Sequence, residues 1–244
     1  MQKDVSLNTF LLSSKDMEIK IVGTSHIAAQ SIKEIKSAFS SFKPEIIAVE
    51  LDIQRAGALM SGEKRSLSFT AITVLGVKGF LFAKIGQYIQ QKLGKSVGII
   101  PGSDMKTALE LAKEHKLQVA FIDQPLQVTL QNFSKQLTWR EKGRFVADII
   151  KGLLFPKKQM REMGLDTLDL RKVPEKEFIS TMMKTLQKRY PNVYKTLVED
   201  RNKYMVKKLV QLFRSHPEKR ILVVVGAGHK EGMEELLLKV DIVI

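Results

Sequence analysis

The sequence predicts an α/β fold: a mixed or mostly parallel central sheet flanked by helices, with a helical insertion between Gln127 and Arg214 that precedes the last βα unit. Three observations lead there. Ile221 to Val225 is an unbroken apolar run ending at Gly226-Ala227-Gly228-His229, as expected of a strand covered on both faces. Earlier apolar segments each end, like this one, in a polar residue at the carboxyl end. From Gln127 to Arg214 the chain shows only helical periodicity, so the last strand returns after a long helical excursion.

Taken in order, Ser6 to Ser13 is a β-type segment and Ser14-Lys15-Asp16 is turn chemistry leading into Met17 to Val22, a leading hairpin that occupies residues 1–16 and the strand after them. This strand runs into Gly23-Thr24-Ser25-His26. Ala28 to Phe39 places Ile32, Ile35 and Phe39 on one helical face, and Pro44 marks entry to a strand from Glu45 to Leu51 that closes in Glu50 and Asp52. Ser61 to Leu93 reads as one or two apolar helices broken near Gly76 and Gly86, and Gly98 to Ser103 as a loop. Ser103-Asp104 is expected to cap a helix from Met105 to His115, and Gln118 to Ile122 is the third buried strand, followed by Asp123-Gln124-Pro125. The insertion divides near Trp139, Phe155-Pro156, Val173-Pro174 and Tyr190-Pro191, and a short helix from Glu231 to Leu238 and an apolar tail close the chain. All of this is read as a single domain over residues 1–244.

Composition narrows the chemistry. The absence of cysteine excludes disulfides, thiolate metal sites and cysteine nucleophiles. The amino terminus has no signal-peptide pattern, and the apolar run from Leu67 to Gly86 is interrupted by Lys78 and Lys84, so no membrane span is expected and the cytoplasm is the default location. A net charge of +14 points toward anionic partners. Its Lys and Arg residues are interleaved with acids and lack regularly placed aromatics, which argues for a solvated helical surface without specific nucleic-acid recognition. Peripheral contact of the basic helices with a membrane stays open, as does the oligomeric state, with a homodimer among the alternatives.

In a parallel sheet the carboxyl ends of the strands share one rim, so His26, Glu50 with Asp52, Asp123 and His229 are expected near one another. Two imidazoles and a carboxylate are a ligand set for a divalent metal with an open position. A buried Glu50 without a partner would be costly, which sets it apart from an ordinary surface acid. Asp123 reads slightly better as a cap for the helix after Pro125. His115 and His216, at a helix end and before a proline, read as structural. Gly226-Ala227-Gly228 does not open a dinucleotide site, because Gly232 comes one residue late and too little chain follows. On the helix beginning near Val193, Val198, Arg201, Met205 and Leu209 share a face, placing one arginine in an apolar stripe, where it needs a carboxylate or bound anion.

With these residues in view, the chain resembles the TraB family, which includes the TraB/PrgY pheromone-shutdown proteins, and more distantly the superfamily that joins it to the Tiki proteases, erythromycin esterases, GumN and ChaN. The resemblance runs from about Ile19 to Leu238. It rests on Gly23-Thr24-Ser25-His26, Val49-Glu50-Leu51-Asp52 with Arg55, Pro101-Gly102-Ser103-Asp104-Met105, Phe121-Ile122-Asp123, Glu199 to Met205 and Val224 to His229. Two G-x-x-H motifs with a glutamate and an arginine between them form the superfamily pattern, onto which His26, Glu50, Arg201 and His229 fall. Serine stands at Ser25 where alanine is commoner, and Asp200 precedes Arg201 where the pattern carries glutamate.

The resemblance implies an EreA/ChaN-like fold and, for the Tiki branch, a metal-dependent peptidase. The expectation is then a hydrolase acting on a peptide, with His26, Glu50 and His229 on a divalent metal (Mn, Co or Zn), Arg201 stabilising the oxyanion, and Arg55 and Asp52 contacting substrate. Two alternatives stand beside it: a metal-free hydrolase with a histidine as general base, and a non-catalytic protein that binds a peptide or sits on a membrane.

Overall fold

The computed structural model describes residues 9–14, 17–24, 29–62, 102–154 and 176–240. The expected helices between Ser61 and Leu93, the breaks at Phe155-Pro156 and Val173-Pro174, most of the loop before Ser103 and His26 itself fall outside them.

Among the described residues the strands form one sheet in the order β1-β2-β5-β3-β4. They are β1 (Thr9–Ser14), β2 (Met17–Thr24), β3 (Ile46–Val49), β4 (Gln118–Phe121) and β5 (Ile221–Gly226). β1 pairs antiparallel with β2, from Thr9 opposite Val22 to Ser14 opposite Met17, which is the expected hairpin. The remaining pairings, β2 with β5, β5 with β3 and β3 with β4, are parallel. An α/β fold with a mostly parallel sheet is therefore the architecture.

The last strand in sequence lies between β2 and β3, and the two-sided burial that its composition implied has a direct cause. Ile221, Val223 and Val225 join Ile19, Ile21, Ile46 and Ala48 on one face, while Leu222 and Val224 join Val22, Ile47 and Val49 on the other. The first face is covered by α8 (Asp200–Ser215) through Met205, Val206, Leu209 and Phe213, and by α9 (Ala227–Lys239) through Met233 and Leu237. Against the second pack α1 (Ala29–Phe42), α2 (Ile53–Ser61) and α3 (Ser103–Glu114), which contributes Met105, Ala108, Leu109 and Ala112.

Where its residues are described, the insertion is helical as expected. It comprises α4 (Leu126–Gln136), α5 (Trp139–Leu154), α6 (Lys176–Arg189) and the short α7 (Pro191–Tyr194), which passes through a π-helical turn, Lys195–Glu199, into α8. The buried carboxylate of Glu141 on α5 accepts from the Asn192 main-chain N–H at 2.8 Å and its side-chain amide at 2.9 Å, fixing where α7 begins.

Three local expectations are corrected. The cap of α3 is Gly102, at φ 85°, and Ser103 and Asp104 lie inside the first turn; the left-handed backbone there is one that glycine adopts without a Cβ clash. α4 is preceded by Pro125 with no side-chain cap, so Asp123 does not serve it. The last helix begins at Ala227, four residues before the expected Glu231, so His229 stands in its first turn. Of the other histidines, His115 stacks at 4.7 Å on Phe39 and His216 ends α8, structural positions both.

Ile47 is fully buried on β3. Ile47→Ala is expected to lower the unfolding free energy by about 2–5 kcal/mol, measured as a reduced urea midpoint with an unchanged slope.

Candidate functional site at the carboxyl rim of the sheet

The parallel register brings the strand ends level: Thr24, the last residue of β2, pairs with Gly226, and Val49, the last of β3, pairs with Val224. β4 ends beside β3, where Ile122 donates its main-chain N–H to Val49 O at 3.1 Å. Four side chains meet there: Glu50 after β3, Asp123 after β4, His229 in the first turn of α9 and Arg201 in the first turn of α8. Glu50, Asp123 and His229 are 6%, 4% and 8% exposed. Gly23 lets β2 and α9 approach closely, since a Cβ there would lie 3.3 Å from the Ala227 backbone and 3.1 Å from Lys230.

Arg201 is the hub. Its Nε donates to Asp123 Oδ1 at 3.1 Å, and Nη2 to Asp123 Oδ2 at 2.6 Å and to Glu50 Oε1. Nη1 reaches His229 Nε2 at 2.9 Å and Leu197 O at 3.3 Å. A guanidinium has five N–H donors and no acceptor; every donor is used, and Nε2 of His229 must be the accepting partner. Glu50 Oε2 accepts the Gly226 N–H at 2.6 Å, placing a carboxylate at the start of α9. Burial works against the charge on Arg201, but the neighbouring Glu50 and Asp123 outweigh it and hold its proton more tightly than in an ordinary arginine.

Behind the hub the charges continue. Arg55 donates through Nη2 to Asp123 Oδ2 and through Nε to Asp52 Oδ2 at 2.8 Å. Asp52 caps α2 by accepting the Arg55 N–H at 2.9 Å, and its other oxygen takes the Leu126 N–H at 3.2 Å, so this residue tethers α4 as well. Burial tends to raise the Asp52 carboxyl, while the Arg55 main-chain and side-chain hydrogen bonds, its charge and the Leu126 N–H together hold it below the usual carboxylate range. Asp200 turns away to Lys195 at 2.7 Å and takes no part in the site.

Of the expected site residues, Glu50, Arg201 and His229 touch one another, and Arg55 and Asp52 connect to them through Asp123. His26 lies outside the described residues. Asp123 was undervalued because a carboxylate just before a proline and a helix reads equally as a cap. Asn202 was missed: it is buried beside Arg201, with Oδ1 2.7 Å from His229 Nδ1. Its signal was faint but present, a polar residue at helical spacing from the core residues Met205, Val206 and Leu209.

The rim's residues also bear on kinship. A model of the TraB/PrgY/gumN family matches residues 9–240, which takes in every one of these side chains. The chain belongs to the TraB/PrgY/gumN family. An uncharacterised protein of Methanocaldococcus jannaschii is 34% identical over 93% of this chain and 55% of its own length. The human and mouse TraB domain-containing proteins are each 23% identical over 93% of this chain and 64% of theirs. The chain thus spans somewhat over half the length of these TraB relatives.

The metal that the wider superfamily implies would take His26, Glu50 and His229. Glu50 Oε1 and His229 Nε2 are 3.3 Å apart, the separation that two ligands about 2.0–2.1 Å from one tetrahedral ion would have. Both atoms, however, already face terminal nitrogens of Arg201, and an imidazole nitrogen has a single in-plane lone pair. As arranged, the described donors fit a guanidinium and do not fit a metal ion alongside it. Among the described residues no group of three or more His, Asp or Glu has metal-site geometry, and no helix is long and apolar enough to cross a membrane.

Two outcomes are expected. Arg201→Ala leaves Glu50 buried without its cation and Asp123 with Arg55 alone, and should cost about 3–5 kcal/mol of stability, measured by denaturant unfolding at neutral pH. Because the Asp52 carboxyl is depressed on folding, its contribution is present above its unfolded pKa of about 3.9 and lost as pH falls through the lower folded value. The stability gap between wild type and Asp52→Asn should accordingly be full at pH 6 and shrink below about pH 4; a gap constant across an unfolding series from pH 6 to pH 2.5 would remove the linkage.

Proposed function

We propose that this TraB-family chain is a hydrolase of acyl bonds, peptide or ester, in which His229 is the general base and Arg201, not a metal ion, is the resident cation. The observation that carries the reading is the position of the Arg201 guanidinium on both Glu50 Oε1 and His229 Nε2. In this reading a water enters between Nη1 and Nε2, accepting from the first and donating to the second. The water oxygen bonds to the substrate carbonyl carbon as its proton passes to Nε2, and the carbonyl π pair moves to the oxygen. The imidazolium so formed faces Glu50 Oε1 at 3.3 Å, while the Nη1 N–H, which loses its water acceptor as that oxygen bonds to carbon, turns to the adjacent oxyanion. Collapse of the intermediate breaks the bond to the leaving group, which takes the proton from Nε2. Arg55 is about one-third exposed, with Nη1 unengaged among the described residues, and would hold a substrate carbonyl or carboxylate.

A second reading is favoured by one specific observation, the full use of all five Arg201 donors: a peptide-binding protein whose rim is scaffold. Both are tested on the full chain with a peptide library and a set of activated esters, with and without chelator. Turnover that persists in chelator and falls about 10²–10⁴-fold in His229→Gln supports the base assignment. Activity abolished by chelator and restored by Mn or Co would replace it with the metal-dependent peptidase, and peptide capture without turnover would leave the binding protein.

A further inference from the structure

Asn202 and Gly232 lie outside the superfamily pattern of two histidines, glutamate and arginine, yet Asn202 touches His229 and Gly232 lies against Asn202. We propose that Asn202 is a positioning residue that locks His229 in the Nδ1–H tautomer, and that position 232 is glycine because a side chain there would displace the Asn202 amide.

Nε2 receives Arg201 Nη1 at 2.9 Å, and a guanidinium can only donate, so the ring proton belongs on Nδ1. A protonated Nδ1 requires an acceptor, and Asn202 Oδ1 is 2.7 Å away. The opposite amide orientation would set an N–H against that proton, so the two contacts fix each other. Asn202 is 4% exposed, which leaves little room for water to take its place. A free histidine side chain in water prefers the other tautomer, and without Asn202 only the Arg201 contact at Nε2 would oppose that preference.

The amide has a narrow seat. A Cβ at Gly232 would stand 2.4 Å from Asn202 Nδ2, far inside any van der Waals contact. Gly232 lies one turn along α9 from His229, so the imidazole and the gap that admits its partner share a helix face. Residue 232, which looked like a misplaced third glycine of a dinucleotide loop, thus has a packing reason.

The test reads the tautomer directly, from the ring ¹⁵N shifts of His229 in the labelled full chain without substrate, His229→Gln serving to assign the signals. Wild type is expected to show Nδ1 protonated and Nε2 bare. Asn202→Ala should shift the signal toward the Nε2–H form, and Asn202→Asp, which keeps an acceptor, should restore the wild-type pattern. Gly232→Ala should reproduce Asn202→Ala, while adding it to Asn202→Ala should change nothing more, because the colliding amide is gone; this double variant also serves if Gly232→Ala alone fails to fold. An unchanged Nδ1–H signature in Asn202→Ala, or in folded Gly232→Ala, would overturn the proposal. Only the consequence for rate rests on the hydrolase reading. An inactive wild type with the predicted tautomer would sink that reading and leave this one standing.

Discussion

A single buried cation organises the rim. The Arg201 guanidinium, placed on the core-facing side of α8, would be strongly penalised without counter-charges, and Glu50 and Asp123 supply them from the ends of two neighbouring strands. Such a pair is a poor source of net stability but a sharp constraint on register. Rotating α8 by one residue, roughly 100° about its axis, would take the arginine off both carboxylates while exchanging one apolar contact for another. The core residues Met205, Leu209 and Phe213 hold the helix on the sheet, and Arg201 decides which way it faces. The π turn at Lys195–Glu199 leads directly into α8, and Leu197 within it accepts from Arg201 Nη1 at 3.3 Å.

Much of this was legible in the sequence because the signals were local. Ile221 to Val225 lacks polar alternation for the reason found, helices on both faces, and Ser14-Lys15-Asp16 announced the hairpin. Glu50 and Arg201 stood out as charges in apolar surroundings, each in need of a partner, and they proved to be partners of one another. What escaped was non-local. Asp123 could be told from a helix cap only by knowing that β4 lies beside β3 and that α8 crosses their ends. Asn202 and Gly232 acquire meaning only once two helices are docked to within the size of a methyl group.

The same reasoning explains why a metal set and a guanidinium set look alike in sequence. A divalent ion and an arginine both call for carboxylates and an imidazole lone pair at strand ends, and spacing along the chain cannot separate them. Geometry can. A metal takes its donors at about 2 Å around a point, whereas a guanidinium spreads its N–H groups in a plane and takes them at about 3 Å. The contacts of Arg201 with Asp123 through Nε and Nη2, and with His229 through Nη1, follow the planar fork.

The charge balance around the fork bears on the chemistry proposed for it. Glu50, Asp52 and Asp123 contribute three negative charges and Arg55 and Arg201 two positive, leaving one negative charge in excess around His229. A neutral imidazole sits there while that excess is shared among hydrogen-bonded oxygens. When His229 takes a proton from water in the proposed reaction, the new positive charge lies 3.3 Å from Glu50 Oε1 and cancels the excess. The arginine opposes this step, being close to Nε2, and the carboxylates favour it. At equal dielectric a charge's influence falls with distance, so the balance turns on which is nearer the ring when the proton arrives. In the proposed reaction the attacking water parts Nη1 from Nε2, so the step that supplies the proton also lessens the arginine's repulsion against accepting it.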